Sequence, residues 1–204
     1  MAILKVIING SNLHSGGGLQ AGISFLYEAS RLNSSDLPLL HVIVSSEIYA
    51  GLAQMGANTA VFGRYEVIDT FGLEGLYSKL NNRIKEYELV FTIFGPNYLR
   101  VKAKKEIVGF AQLWILNFNN PISEKMSFFS KNVLRLKFLI QWLFFLRADH
   151  YVVELEHVKK GLIQSKGVDA EKVSIVYNTV SSLYLDESKW KTICIEKGNE
   201  KISL

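Results

Sequence analysis

The chain has 204 residues, 49% hydrophobic and 21% charged, with 15 glycines, three prolines and one cysteine. These proportions exclude a disordered segment, which needs low hydrophobicity and high net charge, and exclude low-complexity or collagen-like sequence. The net charge of +4 is unevenly spread: residues 1–80 carry −2, residues 81–147 carry +7 and residues 148–204 carry −1. A basic block of that kind suits nucleic acid, anionic lipid or a phosphorylated small molecule. It lacks the dense aromatic interleaving of nucleic-acid motifs, so no nucleic-acid partner is expected. The length favours one generous domain. Cys194, being alone, excludes an internal disulfide framework and a Cys-rich zinc site, and reads as a small buried hydrophobe. Met1-Ala-Ile-Leu-Lys leads straight into a strand pattern with no signal peptide, so a cytoplasmic location is expected.

The first element is the apolar run Leu4-Lys-Val-Ile-Ile8, closed by Asn9-Gly10 and read as a buried strand. A loop of Ser, Gly and Asn follows to Gly18. Apolar residues then recur at helical spacing from Leu19 to Leu32. Further strands are predicted at Leu40–Val44, Thr59–Phe62, Leu89–Phe94, Ile107–Ala111, His150–Val153 and Val173–Val176. Helices are predicted at about 46–55, 73–86, 123–147 and 154–165. Strands that are apolar runs, spaced by helices, describe a doubly wound α/β domain: a mostly parallel sheet of about seven strands, covered on both faces. The pattern leaves strand order open. From Tyr177 the rhythm changes, with a turn of helix expected within Leu183–Trp190 and a short strand at Thr192–Glu196. Residues 1–182 therefore read as the domain, and 183–204 as a linker or the start of a further domain.

In an open α/β sheet, ligands bind at the carboxyl ends of the strands. The loop after the first strand holds Gly16-Gly-Gly18-Leu-Gln-Ala21, a formal G-x-G-x-x-A opening a helix. Glycines Gly16, Gly17 and Gly18 permit close approach of phosphate to free helix N–H groups. A dinucleotide reading requires a tight turn directly after the strand, whereas about six residues intervene here. Of four histidines, His14 lies in this loop and is a ligand candidate or a solvent-facing side chain; His41 opens a strand and reads as structural. None has metal-ligand spacing in sequence, so no metal site is expected.

The stretch from Ser123 to Arg147 is apolar almost all round, interrupted by Lys131, Arg135, Lys137 and Gln141. It has no uncharged run long enough to span a bilayer. Two readings remain: a central helix buried against the sheet, or an interfacial helix that sets Trp142 and its aromatic neighbours into a bilayer surface, with Lys131, Arg135 and Lys137 against anionic headgroups.

Three segments together resemble the acceptor-side half of a family-4 glycosyltransferase of the GT-B fold. They are Ile7-Ile-Asn-Gly with Ser15-Gly-Gly-Gly-Leu-Gln; Val108-Gly-Phe-Ala-Gln-Leu-Trp-Ile-Leu116; and Ala148-Asp-His-Tyr-Val-Val-Glu-Leu-Glu-His-Val with Gly167 to Val180. The resemblance covers residues 3–182. It departs from the family where a histidine commonly follows the fifth strand, since Gln112 and Trp114 stand there, and where Tyr177 replaces the proline before Asn178. What the resemblance implies is transfer of a hexosyl group from a nucleotide-sugar donor to a hydroxyl acceptor, a glycan or lipid-linked molecule of the cell envelope. Retention and no bound metal or cofactor go with it. Gly16, Gly17 and Gly18 would then face the donor phosphates, and His14, Gln112 and Trp114 the acceptor, with Gln112 a weak catalytic candidate. Peripheral contact with the inner face of the membrane would account for the basic aromatic segment. The resemblance also implies a donor-binding C-terminal domain beyond this chain, without which transfer is not expected. A dinucleotide-binding oxidoreductase domain and a non-catalytic binding module are the alternatives.

Overall fold

The structure is a computed structural model, and it describes residues 5–178, 182–185, 194–197 and 200–203. Seven strands form one all-parallel sheet: β1 (Val6–Gly10), β2 (Leu40–Val44), β3 (Arg64–Val67), β4 (Leu89–Thr92), β5 (Lys105–Gly109), β6 (His150–Val153) and β7 (Val173–Ile175). Their order is β3-β2-β1-β4-β5-β6-β7. This is the Rossmann-like arrangement, in which the order reverses between β1 and β4 and opens a crevice at the carboxyl ends of those strands.

The apolar runs arise because both sheet faces are covered. Ile8, Val42 and Val44 point to one face and pack under α1 (Gly16–Ser30) and α2 (Ser46–Gln54). Ile7, Ile43 and Val90 point to the other, against Leu80, Ile84 and Leu99. A third cluster joins Val108, Phe110, Tyr151 and Val153 to α3 (Leu113–Leu116), α5 (Phe128–Phe145) and α6 (Glu156–Lys166).

Three expectations are corrected. Thr59–Phe62 is not a strand: the Asn58 side chain accepts from Ala60 N–H at 3.2 Å and caps a 3-10 turn, and the strand is β3, directly after. That strand is at the sheet edge and alternates polar residues, so it carries no apolar run. The predicted helix over 73–86 is three short 3-10 segments. Asn81 Nδ2 donates to the carbonyls of Gly75, Leu76 and Ser78, and this side-chain bonding replaces an α-helical ladder. The long helix is broken in two. Asn120 and Ser123 form a capping box with Pro121 at the first helical position of α4 (Pro121–Glu124), and Ser127 then caps α5 afresh, accepting from Ser130 N–H.

The predicted turn of helix near the carboxyl end is α7 (Ser182–Leu185). Its Ser182 N–H and hydroxyl both donate to Glu28 on α1 at 2.8 Å. The late strand is β8 (Cys194–Lys197), paired antiparallel with β9 (Glu200–Ser203) in a separate two-stranded sheet. The rest of the expected linker, residues 186–193, 198, 199 and 204, lies outside the described residues.

Candidate functional site at the sheet's carboxyl edge

The loop after β1 is tied to two neighbouring strand ends. Asn9 Oδ1 accepts from Ser11 N–H, and the Ser11 and Thr70 hydroxyls lie 2.7 Å apart, joining it to the segment after β3. Asn12 Nδ2 donates to the Phe94 carbonyl at 2.8 Å, joining it to the segment after β4. Gly95 carries φ +86°, and a Cβ there would lie 2.9 Å from Asn12 Nδ2, so both backbone and space require glycine.

These ties frame a cavity of about 270 Å³ at the β1/β4 switch point, lined among others by Asn12, Phe94, Tyr98, Gln112, Gln141 and Phe145. Its polar groups are neutral. Burial pushes the Tyr98 hydroxyl up, and the Gln141 side chain that hydrogen bonds to it offsets part of that. Asn12 and Gln141 are among the residues that line the cavity, but their amide oxygens, Oδ1 and Oε1, are buried away from it and have no hydrogen-bond partner in the protein.

Beside the cavity, α1 starts at the glycine run. Gly16 takes φ +68°, and a Cβ on Gly16 or Gly17 would meet nothing within 4 Å. The N-cap Ser15 makes no side-chain capping bond, and the first turn holds no acidic residue. The first-turn N–H groups therefore have no capping side chain to compete with an anion. Gly18 is tighter, with the Leu13 side chain 3.3 Å from its would-be Cβ. Residues 11–15 separate β1 from the helix, which is too long for the tight dinucleotide turn. The dinucleotide pattern also wants a free acid near the end of β2. Ser45 is there, fully buried and donating to the Leu13 carbonyl at 2.5 Å, and the next acid, Glu47, is hydrogen bonded to His14.

His14 has partners that no sequence spacing reveals. Its Nδ1 lies 2.8 Å from Glu47 Oε2 and 3.7 Å from Asp69 Oδ1, and its Nε2 lies 3.1 Å from the Thr70 carbonyl. The ring stacks on Phe71 with centroids 4.0 Å apart. Burial opposes a charge on His14, but the Glu47 and Thr70 hydrogen bonds and the two carboxylates outweigh it and raise its pKa. The same bond lowers that of Glu47.

Of the residues singled out in the sequence, the structure brings Gln112 into the cavity and sets the glycine run and His14 beside it. Trp114 is elsewhere. It stacks near Phe138, with centroids 6.0 Å apart, and lines a separate cavity of about 580 Å³ with Asn117, His157 and Ser165. Asn12, Tyr98 and Gln141 were not foreseen. They come from three separate segments, and only the fold assembles them.

The α5 helix is not buried on all sides. Phe138 and Phe145 are its buried residues, while Phe129, Val133, Leu136, Leu139, Leu143 and Leu146 are exposed. At about 100° per residue these six share one face, with Arg135 bordering it on one side and Lys137 on the other. The helix holds no acidic residue. Lys131 is half-buried. Trp142 is half-buried too, with Lys166 Nζ 5.3 Å above its ring, so it belongs to the inner rather than the exposed face. Among the described residues no helix is long and apolar enough to cross a membrane.

The sheet order and the crevice at its switch point define the chain as a Rossmann-like α/β domain. No protein-family model matches it, and no curated protein is significantly similar to it.

Proposed function

We propose that this chain is the acceptor-side domain of a nucleotide-sugar-dependent glycosyltransferase, acting on a glycan or lipid-linked hydroxyl acceptor. The observation that carries the reading is the neutral cavity at the switch point. Its lining of uncharged amide residues, Gln112 among them, with the Tyr98 ring suits sugar hydroxyls and the apolar face of a pyranose. Next to it, the uncapped glycine-rich start of α1 suits a donor diphosphate, whose departure needs N–H groups and positive charge. An oxidoreductase is disfavoured by the five-residue gap before that helix and by the engagement of Glu47. Transfer itself requires donor and acceptor to be held together, so a donor-binding partner domain is part of the proposal.

The exposed apolar face of α5 supports the further reading that the domain rests on an anionic bilayer surface. Hydrophobic residues there would enter the interface, and Arg135 and Lys137, which border the face, would meet headgroups, at about 1 kcal/mol each; Lys131 lies on the inner side of the helix. A free choice of ligand tests the main reading. The chain is titrated calorimetrically with UDP- and GDP-sugars, with simple glycosides and with NAD(H). Glycoside or nucleotide-sugar binding that is weakened by Asn12→Leu and Gln141→Leu supports it. Binding of NAD(H) that no nucleotide sugar displaces would overturn it.

A further inference from the structure

The geometry points to a divalent transition-metal site, of the kind that takes Zn²⁺, formed by His14 Nδ1, Glu47 and Asp69 at the carboxyl edge of β1, β2 and β3. One ligand atom from each of the three residues lies within 4.8 Å of the others. Tetrahedral coordination with bonds of about 2.0–2.1 Å sets donor atoms roughly 3.3 Å apart. The His14–Glu47 and His14–Asp69 separations of 2.8 and 3.7 Å bracket that value.

The contacts of His14 leave Nδ1 as the ligand atom. A backbone carbonyl only accepts, so the 3.1 Å contact to Thr70 assigns a hydrogen to Nε2. Nδ1 faces a carboxylate oxygen at 2.8 Å, where an imidazolium proton lies between them and a metal ion can take that proton's place. A ring nitrogen donating to a backbone carbonyl, while the other nitrogen faces carboxylates, is the arrangement that fixes a metal-binding histidine in orientation and tautomer.

The surroundings are built in the same sense. Phe71 stacks on the imidazole, and the Ser11–Thr70 hydroxyl pair anchors the carbonyl that receives Nε2–H. Ser46 donates its N–H to Asp69 Oδ1 at 2.8 Å and its hydroxyl to both carboxylates at 3.1 Å. Among the described residues, the ion-pair partner of Glu47 and Asp69 is His14 itself. A divalent ion that displaces the Nδ1 proton would face two carboxylates. The His14 side chain is 16% exposed, against 40% for Glu47 and 34% for Asp69, so the ligands reach the ion from one side and leave coordination positions open to solvent. Leu13, next to His14 in sequence, and Gly72, three residues after Asp69, line the neighbouring switch-point cavity. The site stands on its own geometry and does not require the glycosyltransferase reading, whose family resemblance implies no metal.

The test uses the full chain, freed of metal by chelation and dialysis, with no nucleotide sugar present. Calorimetric titration with ZnCl₂ should give one ion per chain. Co²⁺, as a spectroscopic probe, should develop visible d–d bands of a low-coordinate nitrogen–oxygen site. Glu47→Gln and Asp69→Asn should each weaken Zn²⁺ binding tenfold or more, and His14→Asn should remove the Co²⁺ bands. Added Zn²⁺ should raise the melting temperature of the wild type and not of these variants. Glu74→Gln, an exposed carboxylate outside the cluster, should bind as the wild type does. Absence of Zn²⁺ binding, or stoichiometric binding retained by all three cluster variants, would overturn the assignment.

Discussion

The two flanks of the sheet are packed by different means. On the β1–β3 side, small residues let elements approach closely: a Cβ on Gly22 would fall 2.9 Å from Leu13, and one on Gly51 would fall 2.4 Å from Ile23, so α1 and α2 meet through glycine. On the β5–β7 side, aromatic rings fill the interface. Phe110 meets Phe145 edge-on with centroids 4.8 Å apart, and Trp114, Phe118 and Phe138 form a cluster under α5. On this flank His14 and Asp69, on the loops after β1 and β3, meet Glu47 from the first turn of α2. Aromatic packing holds the helices further off, leaving cavities of about 580 and 250 Å³ and an uncovered apolar face. One flank builds a polar site and the other presents a surface.

The largest effect should come from breaking the aromatic flank. Phe145 is fully buried, packs on Phe110 and Trp142, and its carbonyl accepts from the Tyr151 hydroxyl at 2.7 Å. Phe145→Ala should cost roughly 3–4 kcal/mol in urea or thermal unfolding, from lost transfer energy plus the cavity left behind. A loss below about 1 kcal/mol would mean that the flank collapses around the gap. On the other side Gly51→Ala is the matching lesion. Its clash is with the far end of the Ile23 side chain rather than with backbone, so the cost should be smaller, about 1–2 kcal/mol.

Two substitutions separate site and surface from stability. Gly17→Val has open space for its side chain, so unfolding should shift by no more than about 1 kcal/mol, the general helix cost of a β-branched residue. Nucleotide-sugar affinity in a reconstitution with a donor-binding domain should fall; equal affinity would return the loop to a simple helix start. On the α5 face, Leu136→Gln with Leu143→Gln should leave stability within about 0.5 kcal/mol for each change. Co-sedimentation with phosphatidylglycerol vesicles should drop, and should drop again in high salt or when Arg135 and Lys137 are neutralised. Vesicle binding indifferent to all of these would leave the apolar face to another partner.

The sheet was legible because its central strands are apolar on both faces: Ile7 and Ile8 serve opposite cores, and that run needs no tertiary information to read. The edge strand β3 was not, because an edge strand half-exposed to solvent carries Arg64 and Glu66 in place of an apolar run. Strand order was invisible, since pairing partners such as Val6 and Leu89 are far apart in sequence. The glycine run was legible from its position after a strand, and Gln112 only through the family resemblance. Asn12 and Gln141 gave no signal, being ordinary amides until the fold buries their oxygens. His14 was noticed, but its carboxylates were not, because Glu47 lies 33 residues away and the pairing depends on how β2 and β3 lie beside β1.

The smallest expected effect lies at the seam between the flanks. Glu106 on β5 is almost wholly buried, and its Oε1 accepts from Asn97 Nδ2 at 3.1 Å while Oε2 has no hydrogen-bond partner in the protein. Arg147 stands 4.0 Å away. Burial raises the carboxyl pKa; Arg147, Lys102 and the Asn97 bond counter this only in part. An acid whose folded pKa is raised takes up a proton on folding in the window between its folded and unfolded pKa values. Stability therefore rises as pH falls through that window and is lower above it. Glu106→Gln has no such titration. The melting temperature of the variant minus that of the wild type should be most positive above the raised carboxyl pKa and should decline as pH falls toward the ordinary glutamate range, whatever its absolute offset. Each kcal/mol of difference corresponds to about 2–4 °C for a chain of this size. The other carboxylates titrate in both proteins and cancel in the difference, including Asp149, whose carboxylate bonds Lys102 and the Glu106 N–H. Parallel curves across that range would show that Arg147 and Lys102 fully offset the burial of this charge.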